Sequence, residues 1–237
     1  MSWKSHALFG LCIVAALAAI VAFAAWPARP PQFRAAHGFD PVTVLDFSRP
    51  FELDPPPRDW RHRKFLLTRA MRMDFAVHQD VAALRCETQG SGSILGRFTD
   101  LDLTSRPLLD WSWFVEVPIA SNRDERTREG DDHPVRLFVE FADSQNGRHT
   151  AEIIWANKLF KPGDYKYIGS FPHYVADGGD ANIGQWRDEK VDLLAMYKAI
   201  SKRSDTPHLR FLGIFCDSDN TGSRSIAYTS SVRLSGK

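Results

Sequence analysis

The chain has 237 residues, 43% of them hydrophobic, which suits a folded globular protein rather than a disordered one. Its 30 basic and 29 acidic residues nearly cancel and leave a net charge of +1. This balance argues against a dedicated nucleic-acid-binding protein, because such proteins carry a strongly basic patch or stripe. We therefore expect no nucleic-acid partner.

The first predicted element is an uncharged apolar run from Ala7 to Trp26. A run of roughly 20 apolar residues is long enough to cross a bilayer as a helix. Lys4 precedes this run, and Ala22-Phe23-Ala24 offers the small residues that a signal peptidase requires. Residues 1–26 are therefore either a retained signal anchor or a cleaved signal peptide. Residues 27–40 then form a proline-rich linker, and residues 41–237 form one domain.

Most of the remaining chain alternates between apolar and polar residues, which is typical of half-buried antiparallel strands. Residues rich in Gly, Asn and Asp separate the alternating segments and predict turns. The predicted strands are Met71–Val77, Leu84–Glu87, Ile94–Thr99, Asp110–Val117, Val135–Phe141, Ala151–Trp155, Tyr165–Gly169, Trp186–Val191, Leu209–Cys216 and Ser225–Leu234.

One helix is predicted over Leu193–Lys202, with Asp192 as its N-cap. The charged segment Ser121–Asp132 is predicted to be a long loop between two core strands. Many short strands with turn-rich connections indicate an all-β fold. We therefore predict an antiparallel β-sandwich or jelly roll with one short helix, preceded by an N-terminal transmembrane or signal helix.

Cys86 and Cys216 both lie on predicted strands. In an oxidising compartment they could form a disulfide. They could equally be two separate buried thiols, because cysteine is often a small core residue. Spacing alone leaves both interpretations open.

The segment Asp217-Ser218-Asp219-Asn220-Thr221-Gly222 follows an apolar strand and is the candidate metal site. Alternating carboxylate and amide oxygens in a tight loop suit a hard cation, so Asp217, Asp219 and Asn220 are candidate ligands of a structural Ca²⁺. The alternative is a plain hairpin turn, in which Asp and Asn bond to their own backbone. No other cofactor is required.

Asp131, Asp132 and His133 directly precede the predicted strand that carries Arg136. Two acids, a histidine and an arginine could bind a polar ligand or perform acid–base chemistry. Alternatively, Arg136 forms an internal ion pair with one of the two acids and fixes the long loop to the sheet.

A further candidate site is the polar side of several predicted strands, which combines charged groups with aromatic rings. This set consists of Arg85, Glu87, Ser112, Phe114, Glu116, Arg136, Phe138, Glu140 and Glu152. If the strands are neighbours, Glu116, Phe138 and Glu140 share a face that suits a sugar, and Trp155 adds stacking surface. Glu116 and Glu140 could also act as a glycosidase pair. The alternative is an ordinary solvated face with cross-strand ion pairs.

Four segments resemble the DUF3047 family, a group of bacterial envelope proteins of unknown function. They are Pro107–Trp113, Gly130–Phe141, Ile154–Asn157 and Asp217–Gly222. Leu45-Asp46-Phe47 followed by Trp60 is also similar to galactose-binding jelly rolls. The resemblance implies an envelope location, either in the bacterial inner membrane with a periplasmic domain or, after cleavage, free in the periplasm. It implies no activity, because function belongs to sites rather than folds.

These observations favour a non-catalytic envelope domain that binds a glycan or another polar envelope ligand. The first alternative is a glycan hydrolase or lyase that uses Glu116, Glu140, Asp132 and Arg136. The second alternative is a structural partner in an envelope protein complex.

Overall fold

The computed structural model describes residues 30–237. The predicted signal anchor or signal peptide, residues 1–26, lies outside the described residues. Within residues 30–237, no helix has the length and apolar character needed to cross a membrane. Residues 31–237 form one compact unit.

The unit is built from fourteen strands and one α-helix, α1, over Leu193–Ser201. Its strands are β1 Val42–Leu45, β2 Trp60–Lys64, β3 Arg72–His78, β4 Val81–Gln89, β5 Gly92–Asp102, β6 Leu108–Val117, β7 Arg136–Ala142, β8 Arg148–Ala156, β9 Tyr165–Ile168, β10 Phe171–Gly178, β11 Trp186–Asp192, β12 His208–Asp217, β13 Arg224–Ser230 and β14 Val232–Ser235.

The strands form two seven-stranded sheets. The first sheet has the order β1-β14-β6-β13-β4-β3, with β11 also paired to β6. The second sheet has the order β2-β5-β12-β7-β8-β10-β9. All pairs are antiparallel except β10 with β8, which run parallel.

The apolar sides of both sheets face each other and form the core. Trp113 and Val115 of the first sheet and Leu137, Ile153 and Leu212 of the second are completely buried in one cluster. Alternation along each strand leaves the other side chains on the outer faces. The predicted all-β sandwich with one short helix is therefore confirmed for the described residues.

A disulfide joins Cys86 on β4 to Cys216 on β12. These strands belong to different sheets, so the bond crosses the core and holds the two sheets together. The sequence was compatible with a disulfide or with two separate buried thiols, and the structure contains the disulfide.

Every predicted strand is present, and Asp192 caps α1 by accepting a hydrogen bond from the Ala195 backbone N–H at 2.9 Å. The predicted strand Ser225–Leu234 is divided at Ser231, whose hydroxyl accepts a hydrogen bond from the Phe47 backbone N–H. Phe33, within the predicted linker, packs against the core and bridges to Thr99. The folded unit therefore begins before the predicted boundary at residue 41.

Candidate functional site

The outer face of the second sheet carries a group of phenylalanine side chains, here called the phenylalanine patch. Its members are Phe65, Phe98, Phe138, Phe171, Phe211 and Phe215. Phe138 stacks on Phe171 with ring centroids 6.4 Å apart and meets Phe211 edge-on at 6.1 Å. Gly96 leaves room for the Phe211 ring, because a Cβ there would collide with it, whereas a Cβ at Gly213 would collide first with Ile94.

A row of polar side chains continues the patch across the same face. The register aligns Phe138 with Glu152, Glu152 with His173, and His173 with Lys166. Residues directly opposite each other on neighbouring strands place their side chains on the same face. Glu152, His173 and Lys166 are therefore adjacent on the outer face, yet all three are almost completely buried.

Arg136 is the centre of this buried group and is only 2% exposed. Its guanidinium donates to Glu152 Oε2 at 2.5 Å and to Asp217 Oδ1, and it also donates to the Asp131 carbonyl at 2.8 Å. It lies 4.3 Å from the centroid of the Phe215 ring. Burial lowers the pKa of Arg136, but the carboxylates of Asp217 and Glu152 outweigh burial and keep it above its usual value.

The two acids beside Arg136 have opposite pKa shifts. Burial raises the pKa of Asp217 to about 8, against the effect of Arg136 and with the help of the nearby Asp132. Burial also acts to raise the pKa of Glu152, but the charge of Arg136 outweighs it, and the pKa of Glu152 lies below its usual value. Burial and the charge of Arg136 therefore act in opposite directions on both acids, and Arg136 outweighs burial only at Glu152.

Lys166 links Asp131 to His133. Its ammonium donates to Asp131 Oδ1 at 2.5 Å and lies 2.9 Å from His133 Nε2. Burial, and then the charge of Lys166, lowers the pKa of His133 to about 3, so its ring is neutral. Because the Trp155 carbonyl can only accept, His133 Nδ1 carries the proton and donates to it at 2.8 Å. His133 is therefore a structural link between the loop and β8.

His173 is buried with an incompletely bonded ring. Its Nε2 lies 3.2 Å from Glu152 Oε2 and 3.5 Å from Asp131 Oδ1, without the alignment of a hydrogen bond. Burial lowers the pKa of His173, but these two carboxylates outweigh burial and raise it above its usual value. Within residues 30–237, Arg136 Nε also has no hydrogen-bond partner.

Asp131, Arg136, Glu152, His173 and Asp217 of this group line an open cavity of about 550 Å³ on the outer face of the second sheet. The lining consists of Arg126, Arg128, Asp131, Arg136, Glu152, Ile168, Gly169, Phe171, His173, Phe215, Asp217 and Asn220. The cavity therefore combines donors, acceptors and two phenylalanine rings. We take it as the candidate site.

The loop that carries Asp131 is held in place by Glu125, which is buried at 4% exposure. The Glu125 carboxylate accepts hydrogen bonds from the backbone N–H groups of Asn157, Lys158 and Leu159. These groups follow β8, so Glu125 adds a connection between the loop and the second sheet to those that Arg136 and Lys166 make at Asp131.

Replacing Glu125 with alanine is expected to release this loop. Three partly buried hydrogen bonds are lost, so the free energy of unfolding should fall by about 1–3 kcal/mol. Limited proteolysis should cut residues 121–132 faster than in the wild type. The control is Glu129→Ala, because Glu129 is exposed in the same loop. Equal cleavage of the two variants would contradict the anchoring role.

The structure brings together the predicted candidates Asp131, His133, Arg136 and Phe138. Asp132, also a candidate, is buried next to the cavity, but its carboxylate bonds to the turn of residues 217–222. Its carboxylate accepts from the Asn220 backbone and side-chain N–H groups and from the Thr221 backbone N–H at 2.6 Å. Asp132 therefore acts as a cap of this turn.

The candidate calcium ligands lie in the same turn. Carboxylate oxygens of Asp132, Asp217 and Asp219 lie within 4.8 Å of one another. However, Asp217 already accepts from Arg136 and from the His133 backbone N–H, and Asn220 acts as a donor to Asp132. These bonds are those of a hydrogen-bonded turn, and calcium binding stays a prediction.

Trp155 and Glu116 are not where the sequence analysis placed them, and Glu140 lies on the expected face of β7 but does not line the cavity. Trp155 is 1% exposed and packs against Trp113 in the core, because it lies on the inner side of β8. Glu116 lies in the first sheet, where it accepts a hydrogen bond from the Tyr228 hydroxyl at 2.7 Å. Glu140 lies in the second sheet and forms a partly exposed ion pair with Arg148.

The polar face predicted from alternation is therefore two separate faces. Arg85, Glu87, Ser112, Phe114 and Glu116 lie on strands of the first sheet, whereas the remaining members lie on the second. The proposed glycosidase pair of Glu116 and Glu140 is wrong, because the two carboxylates lie on different sheets.

Sequence reasoning missed Lys166 and His173. Lys166 lies on the predicted strand Tyr165–Gly169. Alternation places its side chain on the face of that strand away from Tyr165, so the sequence did contain a signal for it. His173 lies on β10, which was not predicted and which contains Pro172. Proline disfavours a strand prediction, and the parallel partner β8 is not adjacent in sequence.

Fold and cavity together define a β-sandwich protein with a mixed charged and aromatic cavity on one outer face. Residues 58–233 match the family described as "Protein of unknown function (DUF3047)". The chain belongs to this family. The resemblance that its motifs predicted is thereby confirmed.

No curated protein matches the chain. Among solved structures, the chain is similar to the family 11 carbohydrate-binding module of a cellulosomal cellulase from Clostridium thermocellum. Identity is 6%, the TM-score is 0.46, and the match covers 85% of this chain and 97% of that one.

The chain is also similar to the xyloglucanase domain of a type three effector from Sinorhizobium fredii, with 9% identity, a TM-score of 0.40 and coverage of 75% and 93%. A third similar structure is endoglucanase 3 of Trichoderma harzianum, with 8% identity, a TM-score of 0.40 and coverage of 86% and 100%. At these levels of identity and TM-score the matches carry no argument about function.

Proposed function

We propose that the cavity of the second sheet binds a polyhydroxylated ligand, a segment of a glycan, without changing it chemically. One observation carries this proposal. Arg136 and His173 are nearly fully buried, each keeps a nitrogen without a hydrogen-bond partner, and both residues line a cavity that also contains carboxyl groups. A built polar site of this kind is costly to leave unsatisfied, so a ligand that completes its hydrogen bonds stabilises it.

A sugar fits this chemistry better than a simple anion or cation. Each sugar hydroxyl both donates and accepts, so neighbouring hydroxyls can use the guanidinium of Arg136 and the carboxylate of Glu152 together. Phe171 and Phe215 supply apolar ring surface for the C–H groups of a sugar. Pockets with apolar walls and a few convergent polar groups are typical ligand sites.

The pairing of the acids with buried cations favours a binding role over catalysis. Glu152 and Asp217 are both bonded to Arg136, and Asp131 is bonded to Lys166. These three are the acids that line the cavity, so they are the groups that glycan hydrolysis would need as acid and nucleophile, and each is already bonded to a cation. Incubation with a bound glycan should therefore yield no new reducing ends.

Thermal unfolding of residues 31–237 with oligosaccharides of β-glucan, mannan and polyuronate tests the proposal. A ligand at about 100 times its Kd adds about 2.7 kcal/mol to stability, which should raise the Tm by roughly 5–10 °C. Phe171→Ala should remove this rise, because Phe171 lines the cavity. Tyr167→Ala is the matched control, since Tyr167 is half-exposed on the same hairpin and is not a lining residue.

A rise in Tm that persists in Phe171→Ala would contradict the proposed site. The absence of a rise with every oligosaccharide would contradict the proposed ligand class. It would instead direct attention to an envelope protein as the partner.

We further propose that the domain acts in an oxidising compartment of the bacterial envelope, held there by residues 1–26 or released by their cleavage. The Cys86–Cys216 disulfide supports this location, because reducing compartments keep such cysteines as thiols. Alkylating free thiols in intact cells tests it. Both cysteines should stay unlabelled unless a reductant is added first, and labelling without reductant would contradict the location.

A further inference from the structure

The segment from Arg61 to Met73 is strongly basic and contains no acidic residue. It begins on β2, which is an edge strand of the second sheet, and ends in β3 of the first. Its five basic residues are all exposed: Arg61, Arg63, Lys64, Arg69 and Arg72. The overall charge balance of the chain conceals this local excess.

Few acids neutralise the segment. Lys64 forms an exposed ion pair with Asp54 at 2.9 Å. Asp219 faces the segment from the 217–222 turn and accepts a hydrogen bond from the Thr68 hydroxyl. Within residues 30–237, the four arginines of the segment have no carboxylate within 4.0 Å. They are Arg61, Arg63, Arg69 and Arg72.

The centre of the segment is an apolar tip formed by Leu66 and Leu67. Their exposed fractions are 90% and 99%, the largest among the exposed large hydrophobic residues in the described part of the chain. Leu67 also has a φ of 67°, a backbone conformation that a leucine rarely adopts. Phe65, just before the tip, packs edge-on against Phe215 at 5.6 Å and so attaches the tip to the sheet.

Protection of an edge strand explains part of this pattern. Charged side chains on an edge strand prevent unwanted pairing with another sheet. That requirement accounts for Arg61 and Arg63, but it does not account for two adjacent leucines in full contact with water. The leucines contribute almost no burial to the fold, and Leu67 adds backbone strain.

We infer that this basic apolar tip docks onto the surface of an anionic lipid bilayer. Exposed leucines enter the boundary between headgroups and acyl chains, and flanking arginines and lysines attract anionic lipids. Complementary charge favours a lipid surface as the occupant, because positive charge surrounds the leucines and carboxylates are scarce there. This inference does not depend on the proposed glycan binding.

Docking would place the cavity close to the membrane. Phe65 contacts Phe215, and Phe215 is one of the lining residues of the cavity. A ligand in the cavity would therefore lie next to the lipid surface.

Co-sedimentation with vesicles tests the inference, using residues 31–237, which contain both sheets and their core. This part of the chain should bind vesicles of phosphatidylglycerol and phosphatidylcholine in equal parts, and should bind pure phosphatidylcholine at least about tenfold more weakly. Raising the salt concentration should weaken binding to the anionic vesicles.

Two variants separate the contributions of the tip. Leu66→Ser with Leu67→Ser, and Arg61→Gln with Arg63→Gln, should each reduce the partition coefficient at least about fivefold. Both should retain nearly the wild-type Tm, because the altered side chains are exposed and only Arg63 contacts rings of the fold, those of Phe65 and Phe138 at 5.9 and 5.8 Å. Val77→Ser is the matched control, since Val77 is 74% exposed on the β3–β4 hairpin and lies outside the segment. It should bind like the wild type.

Equal binding by the double leucine variant and the wild type would overturn the inference. So would the absence of binding to anionic vesicles. If size-exclusion chromatography instead shows a dimer that the leucine variant abolishes, the tip is a contact between two copies and the lipid inference is wrong.

Discussion

Replacing Arg136 with methionine is expected to lower the free energy of unfolding by about 3–5 kcal/mol, because it leaves two buried acids without their cation. Arg136 is the group that bonds both Glu152 and Asp217, and each of these side chains is less than a tenth exposed. Methionine preserves much of the side-chain volume, so the loss reports on charge rather than on a cavity. Chemical denaturation at pH 7 measures the effect.

The matched control for this variant is Arg148→Met. Arg148 also pairs with a glutamate of the second sheet, Glu140, at 2.6 Å, but its side chain is 60% exposed. Solvent screens such pairs, and the expected loss is below about 1 kcal/mol. If the two variants lose equal stability, Arg136 does not organise the cavity in the way that its contacts indicate.

Removing the disulfide is the second change with a large expected effect. Cys86 and Cys216 are 130 residues apart, so their bond closes a long loop in the unfolded chain and lowers its entropy. The double variant Cys86→Ala, Cys216→Ala should lose about 2–5 kcal/mol of stability. For a domain of this size, the Tm should fall by roughly 5–15 °C.

Reduction of the wild-type protein is the control for the side-chain change. Full reduction, verified by thiol titration, should lower the Tm to nearly that of the double variant, and the double variant itself should not respond to the reductant. A wild-type Tm that stays unchanged after full reduction would show that the bond between the sheets contributes nothing measurable.

Most of the fold was predictable because burial on one side of a strand leaves a pattern of period two. Trp111, Trp113, Val115 and Val117 display this pattern within β6, and the structure places the first three in the core. Short segments such as β2 were missed because its sequence, Trp-Arg-His-Arg-Lys, buries only Trp60. A strand with one buried residue has no detectable period.

The candidate site was only partly predictable, because alternation identifies the face of a strand but not the sheet to which the strand belongs. Glu116 and Glu140 both alternate away from the core, and only the strand order separates them. Arg136 and Asp131 were found because they are close in sequence. Lys166 and His173 lie beside them because β9 pairs with β10 and β10 pairs with β8, and no local sequence pattern predicts these pairings.

Hydrogen–deuterium exchange with the oligosaccharide that gives the largest rise in Tm tests the central claim most directly. If the cavity of the second sheet is the binding site, the ligand should slow exchange in residues 126–136, 166–173 and 215–220, which contain most of its lining. Exchange in β6 and β13 of the first sheet should stay unchanged. Slower exchange confined to strands of the first sheet would contradict the account, because the ligand would then bind on the opposite side of the sandwich.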